Sequence, residues 1–158
     1  MYRKLLMKKL LTILLLLVCL NANSQLRGLD RKMSEPAKVI LTYSGAVILN
    51  AVGDGLNDSG NKGWGHMANA LSIGTLLMSF TWIDYDRNKW WVYPLTYTSL
   101  RFTLFDYSYN LTRGLPINYI GGTSFYDQAL QKLNPPNLYL ARGVSLIFSI
   151  SFPITTLK

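Results

Sequence analysis

Arg101 stands inside an apolar run, Thr98-Ser99-Leu100-Arg101-Phe102-Thr103-Leu104-Phe105. A guanidinium there can grip an anionic group, either a lipid phosphate or a buried carboxylate, or it can snorkel from a helix end toward headgroups. Just beyond it, Asp106, Asn110 and Arg113 are spaced four and three apart. If the helix continues through Arg113, that spacing puts all three on one face. Asp106 then has the chemistry of an acid/base or metal ligand, and Arg113 that of a phosphate clamp. The competing expectation is a salt bridge between helices that fixes the packing. Arg142 reads the same way. His66 is the chain's one histidine and opens an apolar stretch. With Asp54 and Asp58 just before it, it makes a weak acid/base or metal candidate. Asp54-Gly55-Leu56-Asn57-Asp58-Ser59-Gly60-Asn61 does not follow the calcium-loop ligand order, however, and reads better as a solvated turn.

No serine-nucleophile elbow, zinc-protease helix motif, phosphate-cradling glycine loop or paired-histidine cluster occurs. The expectation is therefore no metal and no cofactor, with a leaning away from catalysis. The candidate polar cluster is Arg101, Asp106, Asn110, Arg113, Arg142 and His66.

The elements that carry these groups are mostly apolar. The 158 residues are 49% hydrophobic and only 15% charged, with a net charge of +8 and a single cysteine. So low a charge density argues against disorder and against a nucleic-acid module. The first 24 residues have the three-part layout of a secretory signal peptide. Arg3, Lys4, Lys8 and Lys9 precede the apolar run 10–20, and Ala22-Asn23-Ser24 supplies small residues for cleavage between Ser24 and Gln25. Removing that segment takes Cys19 and four positive charges, leaving a net charge of +4 and no thiol.

Residues 25–158 read as one integral membrane domain with transmembrane helices at about 36–52, 66–83, 90–105 and 138–157. A glycine-, asparagine- and aspartate-rich loop should separate the first two. A short helix from Ser124 to Leu133, ended by Pro135-Pro136, should precede the last. Trp64, Trp82, Trp90 and Trp91 all fall at span ends, where indoles favour the bilayer interface.

Two features oppose this all-α reading. Four spans after a cleaved signal put seven Lys/Arg on the outer side against three on the other, the reverse of the positive-inside rule. Residues 99–104 and 144–154 also alternate apolar and small polar groups, which is the signature of a small outer-membrane β-barrel. Contiguous apolar runs such as 39–41 and 76–78 favour helices.

The expected protein is a small membrane protein of the bacterial cell envelope, in the inner membrane rather than the outer. Its role is non-enzymatic, as an accessory, scaffold or partner-binding subunit. Membrane lipids, other membrane proteins or a second copy are its partners, and nucleic acid is not. The alternative is a membrane-embedded enzyme or lipid-headgroup-binding protein using Arg101, Asp106 and Arg113.

Overall fold

The computed structural model describes residues 33–122, 125–133 and 135–157. The expected signal peptide and its cleavage point lie outside the described residues, as does Ser124. From residue 35 onward the chain forms a compact helical unit. Its elements are α1 (Glu35–Asp58), α2 (Lys62–Trp82), a 3-10 turn at Arg87–Lys89, α3 (Val92–Arg113), α4 (Phe125–Gln131) and α5 (Pro135–Thr156). No strand occurs among the described residues.

The alternating segments 99–104 and 144–154 lie within α3 and α5, which corrects the β-barrel alternative. Their small polar residues satisfy themselves inside a helix. Thr103 donates to the Ser99 carbonyl at 2.9 Å, Ser149 to that of Leu146 at 2.8 Å, and Ser151 to that of Ile147 at 2.6 Å. A hydroxyl that bonds back to the preceding turn can sit on an apolar helix face. Alternation of this kind therefore carries no strand signal here.

The boundaries also move. Gly53-Asp54-Gly55 does not end the first helix, which runs on to Asp58. A Cβ on Gly53 would lie 2.9 Å from the Gly65 carbonyl oxygen, so this glycine lets α1 and α2 approach closely instead of breaking α1. The helix ends at Gly60 (φ +87), where the amides of Gly60 and Asn61 close onto the Asn57 and Leu56 carbonyls at 3.1 and 2.9 Å. Gly114 (φ +65) ends α3 in the same way, so that the helix reaches Arg113, eight residues beyond the expected span limit of 105. Pro135-Pro136 opens α5 instead of ending α4, since a proline in the first helical turn gives up an amide that had no partner.

α1 is the central helix, packing against α2, α3 and α5, while α3 also packs against α5. α2 and α5 thus lie at the edges. α1 runs parallel to α3, as the contacts Asn50–Arg101 and Asp58–Tyr109 show, while Ala46–Ser72 with Thr42–Trp82 and Ser99–Ser145 with Asp106–Arg142 set α2 and α5 antiparallel to them. Two helices, α1 and α5, are long and apolar enough to cross a membrane. α2 and α3 have the length without the hydropathy, so the expectation of about four such spans is corrected to two among the described residues. In α3 the cause is Arg101, Asp106 and Arg113; in α2 it is His66, Asn69 and the surrounding glycines.

One end of the bundle is sealed by tyrosines. Val39, Tyr43, Val47, Ile83, Tyr93 and Leu100 form the buried core there. The Tyr43 and Tyr85 hydroxyls lie 3.2 Å apart, and the Tyr85 hydroxyl is also 2.7 Å from that of Ser79. Glu35 pins the start of α1 by bonding Lys38 at 2.6 Å and accepting from the Asp84 amide at 2.9 Å.

Candidate functional site

The other end opens into a cleft of about 1020 Å³ beside α3. α3 supplies most of its wall, because helical spacing aligns Arg101, Phe102, Phe105, Asp106, Tyr109, Asn110 and Arg113 along one side. Asp58 closes it from α1 and Ser145 from α5. The segment after Gly114, with α4, adds Tyr119, Gly121, Tyr126 and Asp127.

That covering segment is tied down by one residue. Asn110 is almost wholly buried, and its amide donates to the carbonyls of Ile117 and Tyr119 at 3.2 and 2.8 Å. Gln131 adds a bond from α4 to the Gly121 carbonyl at 2.8 Å. The chain after α3 is therefore folded back over the helix it has just left.

The charged groups are held by neighbours. The Arg142 guanidinium, 2% exposed, forms an ion pair with Asp106 and lies 4.9 Å from the centre of the Tyr107 ring. Its Nε and Nη1 are buried without a hydrogen-bond partner among the described residues. Arg101 lies over the Phe105 ring at 4.2 Å and donates to Asn50 Oδ1 at 2.7 Å. Asn50 continues to Asn69 at 3.1 Å, and Asn69 to Asp54 at 2.9 Å, so a polar chain runs from the cleft into the α1–α2 seam. Tyr109 donates to Asp58 at 2.5 Å and accepts from Arg113 at 2.9 Å. Burial pushes the Tyr126 phenol above its ordinary value, and the nearby Asp106 carboxylate raises it further, while Arg142 and Arg101 oppose the shift.

Of the residues singled out by type and spacing, Arg101, Asp106, Asn110 and Arg113 line the one cleft. Arg142 is the buried partner of Asp106, which is the interhelical salt bridge expected as the alternative role. His66 is not among the lining residues and is exposed, as the fifth residue of α2. The solvated-turn reading of Asp54 and Asp58 is corrected. Both lie on α1, one bonded to Asn69 and the other to Tyr109. Asn50, Asp54 and Asp58 are spaced four apart, a polar stripe the sequence offered once the glycines are read as helical. Tyr109, Tyr126 and Asp127 carried no comparable pattern. Among the described residues, no three metal-binding side chains cluster.

No family model matches the chain, and no solved structure matches it. A 72-residue stretch is 35% identical to a probable aldose 1-epimerase of Arthroderma benhamiae, covering 46% of this chain. The chain spans only 16% of that protein's length, too little to place it in a family.

Proposed function

We propose that this protein is a small membrane-embedded helical bundle of the cell envelope with a binding or accessory role. The observation that carries the reading is inverted polarity. Thr42, Ser72, Ser79, Thr96, Thr103 and Ser149 are buried, whereas large apolar side chains face outward along both edge helices. On α2, Leu77 and Phe80 are 62% and 71% exposed; on α5, Leu140 and Ile147 are 67% and 69% exposed. Only 22% of the apolar window of α5 is buried within the bundle. Outward-facing apolar side chains in such number along the edge helices suit a lipid-facing wall. Trp64 and Trp90, at opposite ends of the bundle, are 65% and 67% exposed, as interfacial anchors would be. A binding role is favoured over catalysis because Asp58, Asp106 and Arg113 are all engaged by neighbouring side chains.

Carbonate extraction of membranes containing the tagged chain tests the reading. The chain should stay in the pellet and require detergent for release; a monodisperse protein in the carbonate supernatant would overturn it. Ser34→Cys and Asn61→Cys, each combined with Cys19→Ser, place single thiols beyond the two ends of α1, one of the two helices apolar enough to span. They should label from opposite sides of the membrane, and labelling from one side only would exclude a spanning bundle.

A further inference from the structure

We propose that the cleft along α3 holds a phosphate–ammonium zwitterion, the phosphoethanolamine group carried by ethanolamine phospholipids. The inference rests on the membrane reading for the source of the ligand, and on the cleft alone for its chemistry. The charges at the cleft balance. Arg101 and Arg113 line it together with Asp58, Asp106 and Asp127, and Arg142 stands directly behind Asp106. A bare phosphate or a bare amine would meet as much repulsion as attraction there. A ligand carrying both signs is complementary to both.

Arg101 precedes Asp106 on α3, and both line the cleft. Arg101 and Asp106 are five residues apart, about 7.5 Å along the axis. That suits a phosphate on the guanidinium, a short linker, and an ammonium at the carboxylate. Arg101 is held in place by Phe105 and Asn50 while its side chain remains exposed. Arg142 pairs with Asp106 and fixes the orientation of its carboxyl group, so an arriving ammonium would find a positioned acceptor beside the Phe105 and Tyr109 rings.

The cleft is continuous with the apolar wall, which favours a lipid over a free headgroup. Ser145 lines the cleft from α5, and its neighbours Val144 and Phe148 are exposed on the outer side, followed by Ile147 and Ile154. A headgroup in the cleft would leave its acyl chains along that strip.

The test uses the full chain reconstituted in nanodiscs, with bound lipid measured by native mass spectrometry. Phosphatidylethanolamine should be retained about ten-fold over phosphatidylcholine, whose trimethylammonium cannot donate to a carboxylate, and over phosphatidylglycerol, which has no cation. Arg101→Gln should remove the preference with only a small fall in melting temperature, because the bond to Asn50 that it gives up is exposed. Asp106→Asn should erase the distinction between the ethanolamine and choline lipids. If that variant fails to fold, Arg101→Gln still decides. Equal retention of the three lipids by a detergent-requiring chain, or a preference that survives Arg101→Gln, overturns the inference.

A separate arm titrates the protein with water-soluble O-phosphoethanolamine, followed by phosphorus NMR. Binding that depends on Arg101 supports the site, with a tenfold gain for the intact lipid marking the membrane as the source. If the chain proves soluble without detergent, the membrane reading fails on its own. Binding of O-phosphoethanolamine lost in Arg101→Gln would then still support the cleft chemistry, and no binding would overturn it.

Discussion

The two ends of the bundle use the same helices for different purposes. Where α1 begins, Tyr43, Tyr85 and Tyr93 pack ring against ring, with Tyr85 and Tyr93 centred 4.5 Å apart and Tyr43 edge-on to Tyr97 at 5.7 Å. Their polar tips meet one another, Ser79 or a backbone amide, as in the 2.8 Å bond from the Asp86 amide to the Tyr93 hydroxyl. Where α1 stops, the helices enclose arginines, carboxylates and an asparagine around open volume. The first arrangement fills its interior with tyrosine rings and hydroxyls, and the Glu35–Lys38 ion pair lies at the start of α1. The second holds ionic groups at partial burial, which costs desolvation and leaves room for a ligand. Stability should therefore be concentrated at the tyrosine end, and the greatest sensitivity to losing a single partner at the other.

The largest effect expected is at Arg142. Replacing it by alanine leaves Asp106, only 16% exposed, without its cation, and uncompensated buried charge typically costs about 3–5 kcal/mol. Thermal unfolding in detergent, followed by circular dichroism, should show the loss. Combining Arg142→Met with Asp106→Leu removes both charges and should recover most of it. A single variant as stable as the parent would mean that the pair does not hold the cleft end together.

Leu100 comes next and probes the buried core that the tyrosines seal. Its side chain is 1% exposed in the tyrosine-sealed core, and Leu→Ala in such a site costs about 2–4 kcal/mol. The contrast lies in the second readout. Leu100→Ala should lower the melting temperature while leaving the hydrogen bonds of the cleft, and the exchange protection of Asn110, unchanged below the transition. Loss of that protection together with the core would show that the two ends fold and open as one unit, and would dissolve the contrast.

How much of this was legible in the sequence follows the same division. Helical class, the short α4 and the common face of Asp106, Asn110 and Arg113 follow from periodicity and spacing, which are local properties. The extension of α1 through Gly53 and Gly55 does not. A glycine pair reads as a break unless the neighbouring helix that needs the close approach is known, and Gly65 is twelve residues away. Misreading that pair hid the Asn50, Asp54 and Asp58 stripe, and with it the polar chain from Arg101 to Asn69. Tyr126 and Asp127 reach the cleft because Asn110 folds the segment after α3 back over the helix, a tertiary event with no periodic trace. The count of spans erred for another reason. Length and tryptophan placement suit four, but Arg101, Asp106 and Arg113, which line the cleft, lower the hydropathy of α3.

Asn110 gives a smaller and more local effect. Asn110→Ala removes two hydrogen bonds to the covering segment, each contributing about 0.5–1.5 kcal/mol. Hydrogen exchange should quicken across residues 115–122, with the four long helices keeping their protection. Uniform loss throughout the bundle would instead place Asn110 among the groups that set global stability.

The smallest effect separates packing from hydrogen bonding at the tyrosine end. Tyr43→Phe keeps the ring and its edge contact with Tyr97, and it removes one hydroxyl from the chain running through Tyr85 to Ser79. Tyr85 still has Ser79 at 2.7 Å, so no polar group is stranded by the change. The cost should stay below about 1 kcal/mol, since most of what Tyr43 contributes is buried ring area. A loss above about 2 kcal/mol would mean that the hydroxyl chain, and not ring packing, closes this end. Both ends of the bundle would then depend on polar networks, and the division of labour between them would rest only on charge.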